Sequence, residues 1–208
     1  MAAETPSGPT IVEASAETVV AAFSERDQLV VTLSGYSGSG YEDEDALMRR
    51  ARALLGEYDP ASTIINIGAT AVGIGAVYEI ASEMGFETTG IVSSQALESE
   101  AVFSPSVDRV YVVADDQWGG LIEGTDVLSP TSEAIVAVSD VYLAIGGGAA
   151  ARDEAVAARA RGKEVRFFPA DLDRRRAIER AEARGEPVPT DFRGAAHQVL
   201  GEGSGAGG

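Results

Sequence analysis

The sequence predicts a single three-layer α/β domain built on a doubly wound, mostly parallel β-sheet. Three observations lead to this fold class. Short apolar segments alternate along the chain with segments of helical periodicity. The apolar segments are continuous runs, which is typical of strands buried on both faces of a parallel sheet. Helical segments of about ten or more residues separate them, as right-handed crossover connections between parallel strands require.

Six segments have the β-branched and aromatic composition of strands. They are QLVVTLSG (28–35), STIINIG (62–68), ETTGIVS (87–93), DRVYVVAD (108–115), DVYLAIGG (140–147) and EVRFFPA (164–170). The helical segments are SAETVVAAF (15–23), YEDEDALMRRARALLGEY (41–58), AVYEIASEMG (76–85), TSEAIVAVSD (131–140), ARDEAVAARARG (151–162) and DLDRRRAIERAEARG (171–185).

The helix ends carry their own signals. Ser15 is the expected N-cap of the first helix, because its hydroxyl can accept a free backbone N–H. Gly85 is placed to end the third helix at the C′ position. Pro130 suits the first turn of the helix that follows it.

The chain divides into three parts by composition. Residues 1–14 begin with MAAETPSGPT and are predicted to be a flexible N-terminal segment. Residues 15–200 are predicted to form one Rossmann-like domain, and residues 201–208 a flexible glycine-rich tail.

Composition narrows the classes of partner. The formal net charge is −17 and the isoelectric point is near 4.3, so the protein's field repels nucleic acid and anionic membranes. There is no cysteine, which excludes disulfides and thiolate chemistry. The start of the chain has no signal-peptide pattern, and no apolar run reaches the roughly 20 residues of a membrane span. These features predict a cytoplasmic protein.

Glycine-rich loops follow three predicted strands, at the edge where open parallel sheets bind ligands. Glycine there permits positive φ and close approach of a ligand, and free N–H groups at a helix start attract phosphate. The sequence therefore predicts a phosphate on the turn Gly146–Gly148, with the loop at 34–41 left for ribose or base. Tyr36 and Tyr41 are candidate stacking partners. The predicted ligand-binding residues of the first two loops are Gly35, Tyr36, Ser37, Gly38, Gly68, Thr70, Gly73 and Gly75.

Stricter phosphate-binding templates do not fit. The sole lysine, Lys163, lies far from every glycine loop, which excludes a P-loop. The first loop reads G-x-x-G-x-G, and the acidic residue expected after the second strand is absent, which disfavours a dinucleotide-binding dehydrogenase.

The stretch DDQWGGLIEGTDVLSP (115–130) is long for a connection without secondary structure, and such loops are usually functional. Trp118 is a predicted ligand contact, with Gly119 and Gly120 as a hinge; the alternative is that it pins the loop to the core. No cofactor is required, but Mg²⁺ is kept as a candidate because carboxylates suit it, although their spacing matches no recognised pattern. Those carboxylates are Asp115, Asp116, Glu123 and Asp126.

Two further titratable residues are His197 and Glu79. His197 is expected at the surface, and a chain with one histidine and no cysteine cannot build a histidine-based zinc site. Glu79, on the third helix, is equally compatible with the crevice and with solvent.

Two motifs resemble a known family. NIGATAVGIGAVYEIASEMGFETTGIV (66–92) is similar to the first glycine-rich motif of the LOG proteins, often labelled lysine-decarboxylase-like, and AIGGGAAARDE (144–154) to their later P-G-G-x-G-T-x-x-E motif. The resemblance spans about residues 28–170 and extends to the SLOG superfamily of Rossmann-like nucleotide-binding domains.

This resemblance implies a small-molecule nucleotide or nucleotide-like phosphorylated ligand, held by a carrier, a sensor or a divergent enzyme. Glu154 falls on the family glutamate, so the main alternative is a nucleoside 5′-monophosphate N-glycosidase using Glu154. The family threonine is replaced by Ala151 and its arginine segment is missing, which leaves Arg152 as the candidate cation. A second alternative is an assembly protein whose glycines are structural. The resemblance also implies a homodimer.

Overall fold

A computed structural model describes residues 8–201 of the 208-residue chain. The strands of these residues are β1 (Thr10–Ala14), β2 (Leu29–Gly35), β3 (Thr63–Ile67), β4 (Glu87–Ser93), β5 (Arg109–Val113), β6 (Val141–Ile145) and β7 (Glu164–Phe168). Their α-helices are α1 (Ala16–Ser24), α2 (Glu44–Leu55), α3 (Val77–Glu83), α4 (Gln95–Glu98), α5 (Pro130–Val138), α6 (Ala149–Ala160), α7 (Arg174–Arg184) and α8 (Ala195–Leu200).

The strands form one parallel sheet in the order β1-β5-β4-β3-β2-β6-β7. The predicted fold class is confirmed. From β2 the chain adds strands in one direction, through β3, β4 and β5, and then returns to add β6 and β7 on the other side of β2. The order therefore reverses between β2 and β6, and parallel sheets bind ligands beyond the carboxyl ends of the strands at such a point.

Each face of the sheet has its own apolar core, because successive side chains of a strand point to opposite faces. Val31 and Leu33 of β2 belong to the core beneath α2 and α3. Val30 of the same strand belongs to the core beneath α1, α5, α6 and α8. Two covered faces explain why the predicted strands are continuous apolar runs.

All six predicted strands are present, but the predicted flexible segment 1–14 needs a correction. Thr10–Ala14 form β1, which pairs in parallel with β5 at the edge of the sheet. Ile11 and Glu13 are exposed, as befits an edge strand, so this strand has no apolar run to predict it. Residues 1–7 and 202–208 of the predicted flexible ends lie outside the described residues.

The predicted helix ends are confirmed. Ser15 caps α1 by accepting the N–H of Thr18, Gly85 follows the end of α3 with φ of +86°, and Pro130 is the first residue of α5. Lys163 has a structural position: its Nζ donates to the carbonyl of Ala137 at 3.0 Å and to that of Ser139, which satisfies the carboxyl end of α5.

Candidate functional site

A cavity of about 270 Å³ opens at the carboxyl ends of β2, β3 and β4, beside the point where the strand order reverses. Its walls also include the first turns of α5 and α6 and the loops that flank β5. Thr32 and Asn66 line its floor, and Ala150 and Ala151 bring the start of α6 to its wall. The cavity therefore occupies the position where ligands of open parallel sheets are bound.

Glu154 is a buried carboxylic acid in the cavity wall, on the second turn of α6. The hydroxyl of Ser132 donates to its Oε1 at 2.6 Å, and the hydroxyl of Tyr142 donates to its Oε2 at 2.7 Å. α5, β6 and α6 thus meet at one carboxyl group. Two short hydrogen bonds to two different elements fix the side chain in one orientation.

Burial raises the pKa of Glu154 to about 7, because a carboxylate loses its hydration there. The hydroxyls of Ser132 and Tyr142 oppose this shift, and the nearby charge of Asp153 adds to it. A carboxyl group with this pKa exchanges its proton near neutral pH, which is the property required of a general acid or base.

The loop between β5 and α5 is tied to this carboxyl through Ser132. Ser132 Oγ accepts the N–H of Gly120 at 2.7 Å, so one hydroxyl bridges the loop and Glu154. Gly119 and Gly120 both have positive φ, of +103° and +83°. A Cβ on Gly119 would lie 3.0 Å from Ser132 Oγ, so the close approach of the loop depends on glycine there.

The same loop is more ordered than predicted. Leu121 and Leu128 pair in a short antiparallel hairpin, and Asp115 fixes the start of the loop to α5 by accepting the N–H of Thr131 at 2.9 Å. Burial alone raises the pKa of Asp115, but the N–H groups of Thr131 and Gln117 help to hold it below its usual range.

Apolar side chains surround the mouth of the cavity. Trp118 lies on the wall with 63% of its surface exposed, and Val102 with 78% exposed. Phe103 adds a second aromatic ring to the wall. Exposed apolar groups beside a cavity are typical of a ligand-binding site. Trp118 is therefore not an anchor in the core.

A row of neutral hydrogen-bonding side chains crosses neighbouring elements beneath the cavity, and Thr32 and Asn66 of this row line the cavity floor. Thr32 Oγ1 shares a hydrogen bond of 2.6 Å with Ser139 and accepts Nδ2 of Asn66 at 3.2 Å. Asn66 Oδ1 in turn accepts the hydroxyl of Thr89 at 3.3 Å. These residues are almost fully buried, so the row holds the polar floor in a fixed arrangement.

The structure brings together part of the predicted site. The predicted residues that line the cavity are Gly35, Ser37, Gly68, Thr70, Trp118 and Glu154. The other predicted site residues are not among the residues that line the cavity. Sequence reasoning missed Thr32, Asn66, Ser132 and Tyr142, which come from the strands β2, β3 and β6 and from α5. A polar residue inside an otherwise apolar predicted strand, such as Asn66, was the available signal.

Two glycines of the predicted surface are packing positions. Gly73 has φ of +62°, and a Cβ there would lie 2.2 Å from the carbonyl oxygen of Tyr36. A Cβ on Gly75 would lie 1.8 Å from the carbonyl oxygen of Thr70. Both glycines let neighbouring loops approach each other, and Gly38 contacts Arg180, which donates to its carbonyl at 2.6 Å.

The two candidate stacking tyrosines are buried away from the cavity, with ring centroids 5.0 Å apart. Tyr36 donates to the carbonyl of Ala170 and accepts the N–H of Gly194 at 2.7 Å. Tyr41 donates to the carbonyl of Ile145 at 2.8 Å. Burial raises the pKa of both phenols. These tyrosines join loops to the sheet.

The turn predicted to hold phosphate is tightly packed. The N–H of Gly146 donates to the carbonyl of Phe168 at 2.8 Å, and Ala196 donates to the carbonyl of Gly147 at 3.1 Å. A Cβ on Gly146 would lie 2.5 Å from the ring of Tyr36. Packing accounts for Gly146 and Gly147, whereas Gly148 is the N-cap residue that precedes α6 and has open space beside it.

Arg152 is paired within its own helix. Its guanidinium donates to Asp153 at 2.8 Å, and Arg152 is not among the cavity-lining residues of the described chain. Asp153 also accepts the N–H of Leu121 at 3.3 Å, so this pair supports the loop.

The remaining candidates lie apart from the cavity. Within residues 8–201, no three histidine or acidic residues come together in a group that could hold a metal ion. Glu79 is exposed on α3. His197 is partly buried, with its ring 5.9 Å from that of Phe167. The same residues include no helix long and apolar enough to cross a membrane.

The fold and the crevice together define a Rossmann-like three-layer α/β protein with a cavity at the carboxyl edge of its sheet. No protein-family model matches the sequence, and no curated protein matches it. Among solved structures, the molybdenum cofactor carrier protein of Chlamydomonas reinhardtii is similar over 67% of this chain and 76% of that chain, with 18% identity and a TM-score of 0.50. A structure described as TM1055 is 21% identical, over 66% of this chain and 72% of that chain, with a TM-score of 0.47. The likeness to the carrier protein establishes the fold alone.

Proposed function

We propose that the protein binds a nucleotide or nucleotide-like small molecule, with its heterocyclic ring in the cavity, as a carrier or sensor. The observation that carries this proposal is the cavity itself: it lies beside the switch point, its floor offers fixed polar groups, and aromatic rings line its wall. A carrier role agrees with the description of the similar solved structure as a carrier of molybdenum cofactor.

Gly68 provides a clean test, because it lines the cavity and a Cβ there would meet open space. Gly68→Val therefore places a side chain at the cavity wall, and the Cβ of that side chain meets no neighbouring atom. Gly8→Val is the matched control, since Gly8 also has open space around it and is not among the cavity-lining residues.

Isothermal titration with a panel of nucleosides and nucleoside monophosphates measures the outcome. We expect saturable binding by the wild type and by Gly8→Val, and at least about tenfold weaker binding by Gly68→Val. The melting temperature should stay the same in all three proteins. Absence of binding by every member of the panel at millimolar concentration contradicts the proposal.

A second candidate function is hydrolysis of an N-glycosidic bond with Glu154 as the general acid or base. The buried position of this carboxyl in the cavity wall and its pKa of about 7 favour this candidate. The absence of a cationic side chain among the described residues that line the cavity counts against it, because no positive charge is there to stabilise the negative charge that develops on the departing base. Release of free base from a nucleoside monophosphate, lost in Glu154→Gln, is the test.

A further inference from the structure

The charges around the cavity bear on which form of the ligand it accepts. Among the described residues that line it, Glu154 is the only one that can ionise, and none is a lysine, arginine or histidine. A phosphate that entered would meet a carboxyl group and no cationic side chain. Burial strengthens this repulsion, since charges interact more strongly where water is excluded.

Arginines near the cavity are already engaged. Arg152 is paired with Asp153 at 2.8 Å on α6. Arg180 of α7 donates to the carbonyl of Gly38 and to the hydroxyl of Ser39 at 2.7 Å, on the loop after β2. The chain as a whole carries a net charge of −17, so its outer field also disfavours the approach of an anion.

The start of α6 is the remaining attraction for a phosphate, through its free N–H groups. That helix carries Asp153 and Glu154 within its first two turns. The carboxylate of Asp153 is neutralised by Arg152, but nothing of positive charge neutralises Glu154 among its hydrogen-bond partners, Ser132 and Tyr142. The dipole of the helix is therefore opposed by a full negative charge whenever Glu154 is ionised.

The same walls suit an uncharged ring. Trp118 and Phe103 offer flat apolar surface at the mouth. On the floor, Asn66 donates one N–H of its amide to Thr32 and has a second N–H that no described residue accepts. The buried hydroxyl of Thr131 likewise has no hydrogen-bond partner among the described residues. Ring nitrogens and exocyclic groups of a heterocycle can satisfy these donors.

We infer that the cavity selects an uncharged heterocyclic ligand, of the nucleoside or free-base class, over the same ring carrying a phosphate group. This inference rests on the proposed function and names the chemical class of its ligand. According to this inference, the Gly146–Gly148 turn does not bind a phosphate of the ligand. The heterocyclic ring and its hydrogen-bonding edge determine the specificity.

The experiment compares adenosine with AMP, and guanosine with GMP, by isothermal titration of the full chain at pH 8. We expect each nucleoside to bind at least about tenfold more tightly than its monophosphate. Equal or tighter binding of the monophosphates overturns the inference and leaves the proposed function standing. Absence of binding by these four compounds and by the rest of the nucleoside and nucleotide panel overturns both.

Two further measurements identify the repulsion as the cause. Raising the salt concentration should reduce the ratio between the affinities for nucleoside and monophosphate in the wild type, because salt screens the charges. Glu154→Gln should narrow it as well, and the salt series supplies the same information if this variant is unstable. Arg180→Gln should leave the affinity for AMP unchanged; a selective loss would show that Arg180 binds the phosphate, and would overturn the inference.

Discussion

Glycine follows both β3 and β6, but the space beside the glycine differs between the two positions. Each strand ends in isoleucine and is followed directly by glycine at the carboxyl edge of the sheet. At Gly68 a Cβ would meet open space, at the wall of the cavity. At Gly147, where φ is +127°, a Cβ would lie 2.6 Å from the Cβ of Ala151. The missing side chain leaves open space in the cavity wall at the first position and room for the protein's own chain at the second.

Gly147→Val tests the packed side of this comparison and has the largest expected effect. The φ of Gly147 is one that valine rarely adopts, and the new side chain would overlap Ala151. We expect a loss of at least about 3 kcal/mol in the free energy of unfolding. Chemical denaturation measures it. A loss below about 1 kcal/mol would contradict the close packing of this turn.

Glu154→Gln tests the buried carboxyl beside that packed turn. Because burial raises the pKa of Glu154 to about 7 in the folded state, the folded protein binds more protons than the unfolded chain between pH 4.5 and that value. The stability of the wild type should therefore fall as pH rises through this range. Glu154→Gln lacks this titration. The unfolding free energy of the variant minus that of the wild type should therefore increase by about 3 kcal/mol between pH 4.5 and pH 8.

Urea denaturation at several pH values measures this difference. Glu79→Gln is the matched control, because it makes the same chemical change at an exposed position of α3. Parallel pH profiles for the wild type and Glu154→Gln would show that the carboxyl titrates as it does in the unfolded chain.

Trp118→Ala tests the open side of the comparison. Stacking of a base on an aromatic ring contributes about 1 to 3 kcal/mol, so we expect the affinity for the heterocycle to fall about fivefold or more. Val127→Ala is the control, since Val127 is an exposed apolar residue of the same loop and is not a cavity-lining residue. Equal affinities of the two variants would remove Trp118 from the ligand contacts.

Gly68→Ala has the smallest expected effect. The added methyl group meets no neighbour, so the change in unfolding free energy should stay within about 0.5 kcal/mol. Thermal denaturation measures it. A large loss would show that the end of β3 is packed like the end of β6, and would end the contrast between the two positions.

The sequence predicted the sheet well because its strands are buried on both faces, and burial leaves a continuous apolar run. β1 was not predicted because an edge strand needs no continuous apolar run, and Ile11 of this strand remains 49% exposed. Caps such as Ser15 were predictable because the interaction is local, between residues three positions apart.

The site was harder to predict because it depends on which elements become neighbours. Glu154 meets Ser132 and Tyr142 only because α5 and α6 pack against each other on the face of the sheet that Tyr142 of β6 points to. Tyr36 and Tyr41 were predicted as stacking partners, but the sequence does not reveal that both rings point into the fold. Glycine was the most ambiguous signal, since an absent side chain makes space without indicating what fills it.

The position of Trp118 makes it an intrinsic fluorescence probe of the cavity. It is the only tryptophan of the chain, and it stands at the rim of the cavity with most of its indole ring exposed to water. Excitation of indole alone therefore reports on one place in the molecule. A compound library can be screened against the unlabelled protein by the wavelength and intensity of that single emission. A compound that changes the emission is thereby located near the rim of the cavity.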